Sequence, residues 1–307
     1  MLKAWIRPFV RPLPQWSTVA IAPPSNAVTA TLHWHGDSAD VTKDHTVASL
    51  MPLVIATSLD AGKRPLLEYR DRATGKLLGA LHLAYAGSIA IDTRSLTLYH
   101  VAAGEHHCLG WPRRPWNAWL QNRQMQKHRA PHHLAMESAA VQQLMIAYLC
   151  PRPVILVSVD VPGHRNIFPM DLIGPLERSG FFSLALRSTN ISQPVMREAR
   201  RVALSNIPSD MKDTVYKLAE HHKLPLNDWK SLPFPVCPSR EFGIPTVASA
   251  LRVQELDIVH SQEIGSHMFF LGRIASEESL TQGTQLHHTP GFYQAYRRRV
   301  DMPFMEI

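Results

Sequence analysis

Up to about residue 109, short apolar-rich segments alternate with turn residues. TATLHWH, PLVIATSLD, RPLLEYRD, LLGALHLAYAGSIAI and SLTLYHV each read as a strand. Residues 1–109 are therefore expected to form a β-rich module. WPRRPWNAWLQNRQMQKHRAPHH follows, basic, aromatic and flanked by prolines, with a short helix expected over Asn117–Lys127; residues 110–135 read as a linker. In MESAAVQQLMIAYL, Met136–Leu149, apolar residues recur at helical spacing and Ser138 is placed to cap the start. This helix leads into a second module, residues 136–307. Strands are expected at Val154–Val159 and Phe181–Leu186, a helix at Pro194–Arg201, a strand at Val202–Ile207 and a helical pattern at Asp210–His222. After a Pro-rich loop, alternating strands return in SALRVQELDIVHSQEIGSHMFFLGRIASEE. No internal repeat or low-complexity tract is evident. The fold class is mainly β with some α.

At 307 residues, with 45% hydrophobic and 19% charged residues, the chain has ample surface to bury and no signature of disorder. Its net charge of +7 favours a phosphate-bearing ligand, nucleic acid or an anionic surface. The opening MLKAWIRPFVRPLPQW mixes cations, aromatics and prolines without the apolar stretch of a signal peptide. No run approaches a membrane span. Cys108, Cys150 and Cys237 are odd in number and far apart, as expected of reduced thiols in a cytoplasmic protein.

The sharpest chemistry lies where a buried strand gives out. FFSLALRSTNISQP ends an apolar run in Arg187, Ser188 and Thr189, with Ser192 at an expected helix cap and Pro194 in the first turn. Unpaired amides at a helix start and a guanidinium fork suit a phosphate. An ordinary capped helix with one solvated arginine fits the same residues. In EIGSHMFFLGRI, two apolar strands bend around Gly265, Ser266 and His267. His267 there reads as standing at a rim with its imidazole free, or as a hydrogen-bonded structural residue.

The order PRPVILVSV, a turn, NIFPMDLIGP, a strand ending in RST, a helix, VALSNIPSD and then GSHMFFLGRI, over about residues 144–278, resembles the flavin reductase-like, FMN-binding split-barrel family. The resemblance implies an FMN-binding split β-barrel behind an N-terminal β-rich module. It implies FMN as cofactor, with FAD left open because an adenylate can extend outward, and NADH or NADPH as electron donor. Asn166, Ile167, Phe168, Pro169, Met170, Asp171 and Leu172 would line the isoalloxazine ring, largely through backbone groups. Arg187, Ser188, Thr189 and Ser192 would hold the ribityl phosphate, and Asn206 would border the flavin. Gly265, Ser266 and His267 stand where relatives carry a Gly-Asp-His turn associated with nicotinamide, which makes His267 the catalytic candidate. Ser266 replaces the aspartate of that turn. Asp171 replaces a small hydroxyl residue and would disfavour negative charge on a nearby reduced flavin unless it points away or pairs.

In such an enzyme the cofactor carries the chemistry, and the protein sets nicotinamide C4 against flavin N5. A homodimer is implied, with a protein electron acceptor as a further partner. The alternative is a noncatalytic flavin-binding or electron-carrier protein whose front module docks a partner.

No family is recognised in the front module. His33 and His35 would share a strand face, and His106, His107 and Cys108 form a second cluster. Neither has a third ligand at diagnostic spacing, so no metal site is assigned. Trp111, Trp116 and Trp119 among Arg113, Arg114, Arg123, Lys127 and Arg129 read as a linker helix burying its tryptophans while the cations stay wet; single-stranded nucleic acid is the less favoured reading. Phe292, Tyr293 and Tyr296 beside Arg297, Arg298 and Arg299 read either as an arm packed on the same or a partner subunit, or as a solvated basic tail.

Overall fold

The structure, a computed structural model, describes residues 11–23, 27–127 and 137–307. The readings of residues 1–10, of Arg129 and of the rest of the linker beyond residue 127 lie outside them. In chain order the first half forms β1 (Ser17–Ile21), β2 (Val28–Trp34), β3 (Asp37–Asp40), β4 (His45–Leu50), β5 (Leu53–Thr57), β6 (Leu66–Asp71), β7 (Leu77–Ile91) and β8 (Arg94–His106). Helices α1 (Arg113–Lys127) and α2 (Ser138–Ala147) follow. The second half forms β9 (Arg152–Pro153), β10 (Ile155–Val161), β11 (His164–Met170), β12 (Ile173–Leu176), β13 (Phe181–Arg187), α3 (Gln193–Ala199), β14 (Arg201–Asn206), α4 (Lys212–Lys217), β15 (Val236–Pro238), β16 (Pro245–Val247), β17 (Arg252–Ile264), β18 (His267–Ser279), β19 (Gln285–Thr289), α5 (Gly291–Arg299) and β20 (Met305–Glu306).

Two seven-stranded antiparallel sheets dominate, in the orders β3-β2-β6-β7-β8-β5-β4 and β11-β10-β14-β17-β18-β13-β12. A four-stranded sheet, β20-β1-β19-β9, ties the start of the chain to its end. The β-branched run of β10, ILVSVDV, is buried over its first five residues, which suits a strand covered on both faces. Its inward side chains Ile155, Val157 and Val159 meet Phe168, Leu184, Leu204 and Phe270 in the rear core. Ala48, Val54, Leu96 and Leu98 of the front sheet pack with Phe181, Ala185, Phe269 and Leu271 of the rear one. The two sheets thus share a core.

Helix α2 lies on the front sheet, burying Val141, Leu144, Met145 and Ile146 against it. Glycine makes that approach possible, because a Cβ at Gly104 would stand 3.1 Å from Ile146 Cδ1 and one at Gly79 3.2 Å from Ile146 Cγ2. Ser138 is the first helical residue and not the cap; Glu137 holds that position without a side-chain cap bond. Helix α5 seats on the same core through Phe292, Tyr293 and Tyr296, and the Tyr293 hydroxyl donates to Asp71 at 2.9 Å. The basic tail is therefore an arm packed on its own chain.

The tryptophans depart from expectation. Among the described side chains α1 buries Asn117, Leu120 and Gln121, while Trp116 and Trp119 stack on each other at 4.9 Å and remain 44% and 47% exposed. Arg123 lies over the Trp119 ring at 5.4 Å, so a cation covers the aromatic face in place of a core. The histidines of the front half are scattered: His106 stacks on Phe292 at 4.3 Å, and His33 lies 3.5 Å from Glu68. Among the described residues no three metal-ligating side chains converge, and no helix is long and apolar enough to cross a membrane. All three cysteines are free.

Candidate functional site

Strand β13 delivers Arg187 opposite His267, the first residue of β18. Beyond it the chain turns sharply, with Asn190 N donating to Arg187 O at 2.9 Å and Ser188 N donating to Ser266 O at 3.2 Å. This brings Arg187, Ser188, Ser266 and His267 to one place. The turn is framed from beneath by buried polar groups. Ser192 N donates to Asn190 Oδ1 at 2.8 Å, Asn190 Nδ2 meets His222 Nδ1 at 2.7 Å, and Asn166 Nδ2 donates to Ser192 Oγ and to His221 O, each at 2.8 Å. Arg187, Ser188 and Thr189 stand exposed on this frame. Among the described residues none of the three side chains has a hydrogen-bond or ionic partner.

Ser192 differs from expectation. It occupies the N-cap position of α3, but its side chain makes no capping bond; the hydroxyl is fully buried and accepts from Asn166 instead. Its φ of −83° and ψ of −9° place it in the helical region, away from the extended geometry a capping side chain needs.

Ile167 and Phe168 point into the cores, fully buried, so only their backbone is offered to a ligand. Part of that backbone is taken, since His221 Nδ1 donates to Ile167 O at 2.8 Å and the His222 ring lies 5.2 Å from Phe168. The turn Leu218–His222 thus runs along β11. Asn190, His221 and His222 belong to the site although their sequence context marks them only as a helix end and a loop; the available signal is the adjacent histidine pair closing the Asp210–His222 pattern.

His267 is not a free imidazole at a rim. It is 1% exposed and its Nδ1 is 2.9 Å from Ser266 Oγ. Burial, and then the Arg187 charge, push its pKa down to about 4, so the ring is neutral near pH 7. Met170 packs its side chain in the rear core, with Pro169 and Leu172 half-buried beside it.

Asp171 and Asn206 do not join the cluster. Asp171 lies 3.1 Å from Arg152 Nη1 and 2.6 Å from His288 Nδ1. Burial alone would raise its carboxyl; the Arg152 charge and the His288 hydrogen bond reverse that and hold it well below the usual range. The carboxylate is paired. Asn206 Oδ1 accepts from Gln285 Nε2 at 2.9 Å, while Asn206 Nδ2 reaches Arg252 O at 3.4 Å. At the carboxyl end of α3 a cavity of about 400 Å³ is lined by Arg197, Arg200, His260 and Ser261. His260 Nε2 is buried there without a hydrogen-bond partner.

The match to a family model falls on the half of the chain that holds these residues. Residues 147–296 match the model of the flavin reductase like domain. Among solved structures, the chain is similar to an FMN-binding protein from Thermus thermophilus with bound p-hydroxybenzaldehyde, at 21% identity over 50% of this chain and 80% of that one, with a TM-score of 0.39. It is similar to an NADH:FAD oxidoreductase of Streptomyces globisporus C-1027, at 18% identity over 53% and 96% of the two chains, TM-score 0.43. The flavin reductase of styrene monooxygenase from Pseudomonas putida S12 matches at 13% identity over 48% and 96%, TM-score 0.38. No curated protein matches the sequence. The flavin reductase like domain is thus the family model that residues 147–296 match.

Proposed function

We propose that this protein binds a flavin phosphate, FMN in the first instance, and acts as an NAD(P)H-dependent flavin reductase or related flavin oxidoreductase. The observation that carries the reading is the framed turn of Arg187, Ser188 and Thr189. A rigid turn that presents one guanidinium and two hydroxyls with their bonds unspent fits a phosphate ester, and it sits on a flavin reductase like domain. When bound, the flavin supplies the electron-transfer chemistry. The chain's own residues supply binding and electrostatics: Arg187 faces the anion, and neutral His267 sits beside it under Ser266. The cavity lined by Arg197 and Arg200 offers further cations to a nucleotide donor, because Ser261 is three residues along β17 from Ile264, roughly 10 Å away at strand spacing.

A second reading has specific support. Ser266 stands in place of an aspartate and holds a buried His267, which favours a bound flavin that exchanges electrons with a protein partner without turning over NADH. One experiment separates the two. The purified protein is reconstituted with FMN, freed of excess and mixed anaerobically with NADH or NADPH. Retained flavin bands that bleach within seconds support the reductase; retained bands that persist support the carrier; loss of all flavin refutes both.

A further inference from the structure

The two seven-stranded sheets repeat one another. If front strands β2 to β8 are replaced in chain order by β10 to β14, β17 and β18, the front order becomes the rear order without exception. Chain connectivity leaves many orders open to seven antiparallel strands, and the agreement extends to individual residues. Each sheet has a long central hairpin, β7–β8 and β17–β18, and each hairpin carries two register shifts. The extra residues are Ala86 and Ala102 in the front hairpin, and Val259 and Ala275 in the rear. Adding 173 to a front number gives the rear number in both cases. The same addition takes Asp92 to Gly265, the first residues of the two hairpin tips, whose φ angles are 53° and 54°. It also places Leu83 on Leu256, Ser88 on Ser261, Ile91 on Ile264 and Leu98 on Leu271. Bulges are positional devices within a fold, so two coincident bulges with one shared offset indicate a common origin for the hairpins.

The two units dock reciprocally, as in a two-fold pair. The rear tip meets the front β4–β5 turn, where Ser266 N donates to Met51 O at 2.9 Å and Met51 N donates to Ser266 Oγ at 3.2 Å. The front tip meets the rear β12–β13 turn, where Arg94 Nη1 donates to Ser179 O and its guanidinium lies 5.8 Å from the Phe181 ring. Edge strands β4 and β12 lie together, with Ser183 Oγ donating to Thr46 Oγ1 at 3.0 Å and Arg178 N donating to Asp44 Oδ1 at 3.2 Å.

The copies have diverged at the anion turn. Ile55 faces Tyr99 as Phe182 faces Gly272, so Asp60, five residues beyond Ile55, takes the position of Arg187, five beyond Phe182. The front chain also passes from β5 to β6 without a helix corresponding to α3. A carboxylate where the rear unit has a guanidinium repels an anion.

We propose that residues 28–106 and 155–279 are two copies of one unit, paired within a single chain, and that the anion site survives only on the rear copy, where Met51 and Pro52 of the front copy buttress it through Ser266. The front copy fills the surface a second chain would occupy, so the protein is a monomer with one flavin in place of the homodimer the family resemblance implies. The identity of the ligand rests on the proposed function; the duplication does not.

The test is size-exclusion chromatography with light scattering on the full chain reconstituted with FMN, together with FMN titration of Arg187→Ala and Asp60→Ala. A particle of 34.5 kDa with one FMN, at least tenfold weaker binding in Arg187→Ala and unchanged binding in Asp60→Ala supports the proposal. A stable dimer, two FMN per chain, or equal losses in the two variants overturns it. A chain that binds no FMN refutes the flavin reading, while its mass still decides whether the front copy replaces a partner.

Discussion

Ser266 and Met51, from opposite halves of the chain, exchange two hydrogen bonds: Ser266 N donates to Met51 O at 2.9 Å and Met51 N donates to Ser266 Oγ at 3.2 Å. The next residue toward the amino terminus, Gly265, makes the exchange possible. Its φ is +54°, and a Cβ there would meet Met51 O and stand 2.7 Å from Pro52 Cδ. Gly265→Ala is expected to destabilise the protein by about 2 kcal/mol or more, the left-handed cost plus the clash. Gly163, with φ +85° and nothing within 4 Å of its Cβ position, isolates the conformational cost; Gly163→Ala should lose roughly 1 kcal/mol. Urea unfolding of both variants measures the difference, and equal losses would show that the Met51 turn yields without cost.

Arg187 is an exposed cation beside a buried neutral histidine. If its partner is a phosphate, Arg187→Ala should weaken FMN by roughly ten- to a hundredfold, the range of a charged hydrogen bond, and leave riboflavin nearly unchanged. Fluorescence titration of the two flavins reads the ratio. Equal losses for both would move Arg187 from the phosphate to the ring.

Most strands and the flavin-related segment were legible in the sequence, because strand ends and turns carry local signals in Gly, Pro and hydroxyl residues; the pairing that sets Arg187 opposite His267 was not. What was illegible was set by contacts distant in sequence. The repeat of the two halves rests on strand order and bulge positions, and conservation of those needs few identical residues; Leu83 and Leu256 agree where Asp92 and Gly265 keep only a backbone angle. Ser192 looked like a cap, but Asn166 offered its hydroxyl a buried partner. Asp171 looked like a flavin neighbour, while its partners Arg152 and His288 come from β9 and β19.

Acid stability should follow the buried histidines. Burial above all holds His106, His267 and His287 at pKa values of about 4, against an ordinary 6.5. Between pH 6.5 and about 4 the unfolded chain binds protons that the folded chain refuses, so stability falls as the pH drops through that window, by at most about 1.4 kcal/mol per pH unit for each histidine. Above pH 6.5 these groups contribute no slope. Asp171 has the same sense in a lower window: its lowered carboxyl stabilises the fold above its ordinary value of 3.8, and that contribution is lost only as the pH falls below it. Melting temperatures at pH 7.5, 5.5 and 4.5 should therefore decline stepwise, and His267→Gln should shallow the decline. A flat profile would mean that the folded protein protonates these rings freely.

The pairing of Asp171 makes its own prediction. Arg152 is 11% exposed at its side chain, and Asp171 27%, so the pair is largely shielded from water. Asp171→Asn removes the charge and leaves the guanidinium buried beside His288, an arrangement that costs about 3 kcal/mol. The carboxylate faces the four-stranded sheet through β9 and β19, while the anion turn lies beyond the other end of β11, beside Asn166. The variant is therefore expected to unfold at lower urea while binding FMN with unchanged affinity below its transition. A tenfold change in FMN affinity with little loss of stability would reverse the assignment, and make Asp171 a flavin contact that Arg152 and His288 hold in place.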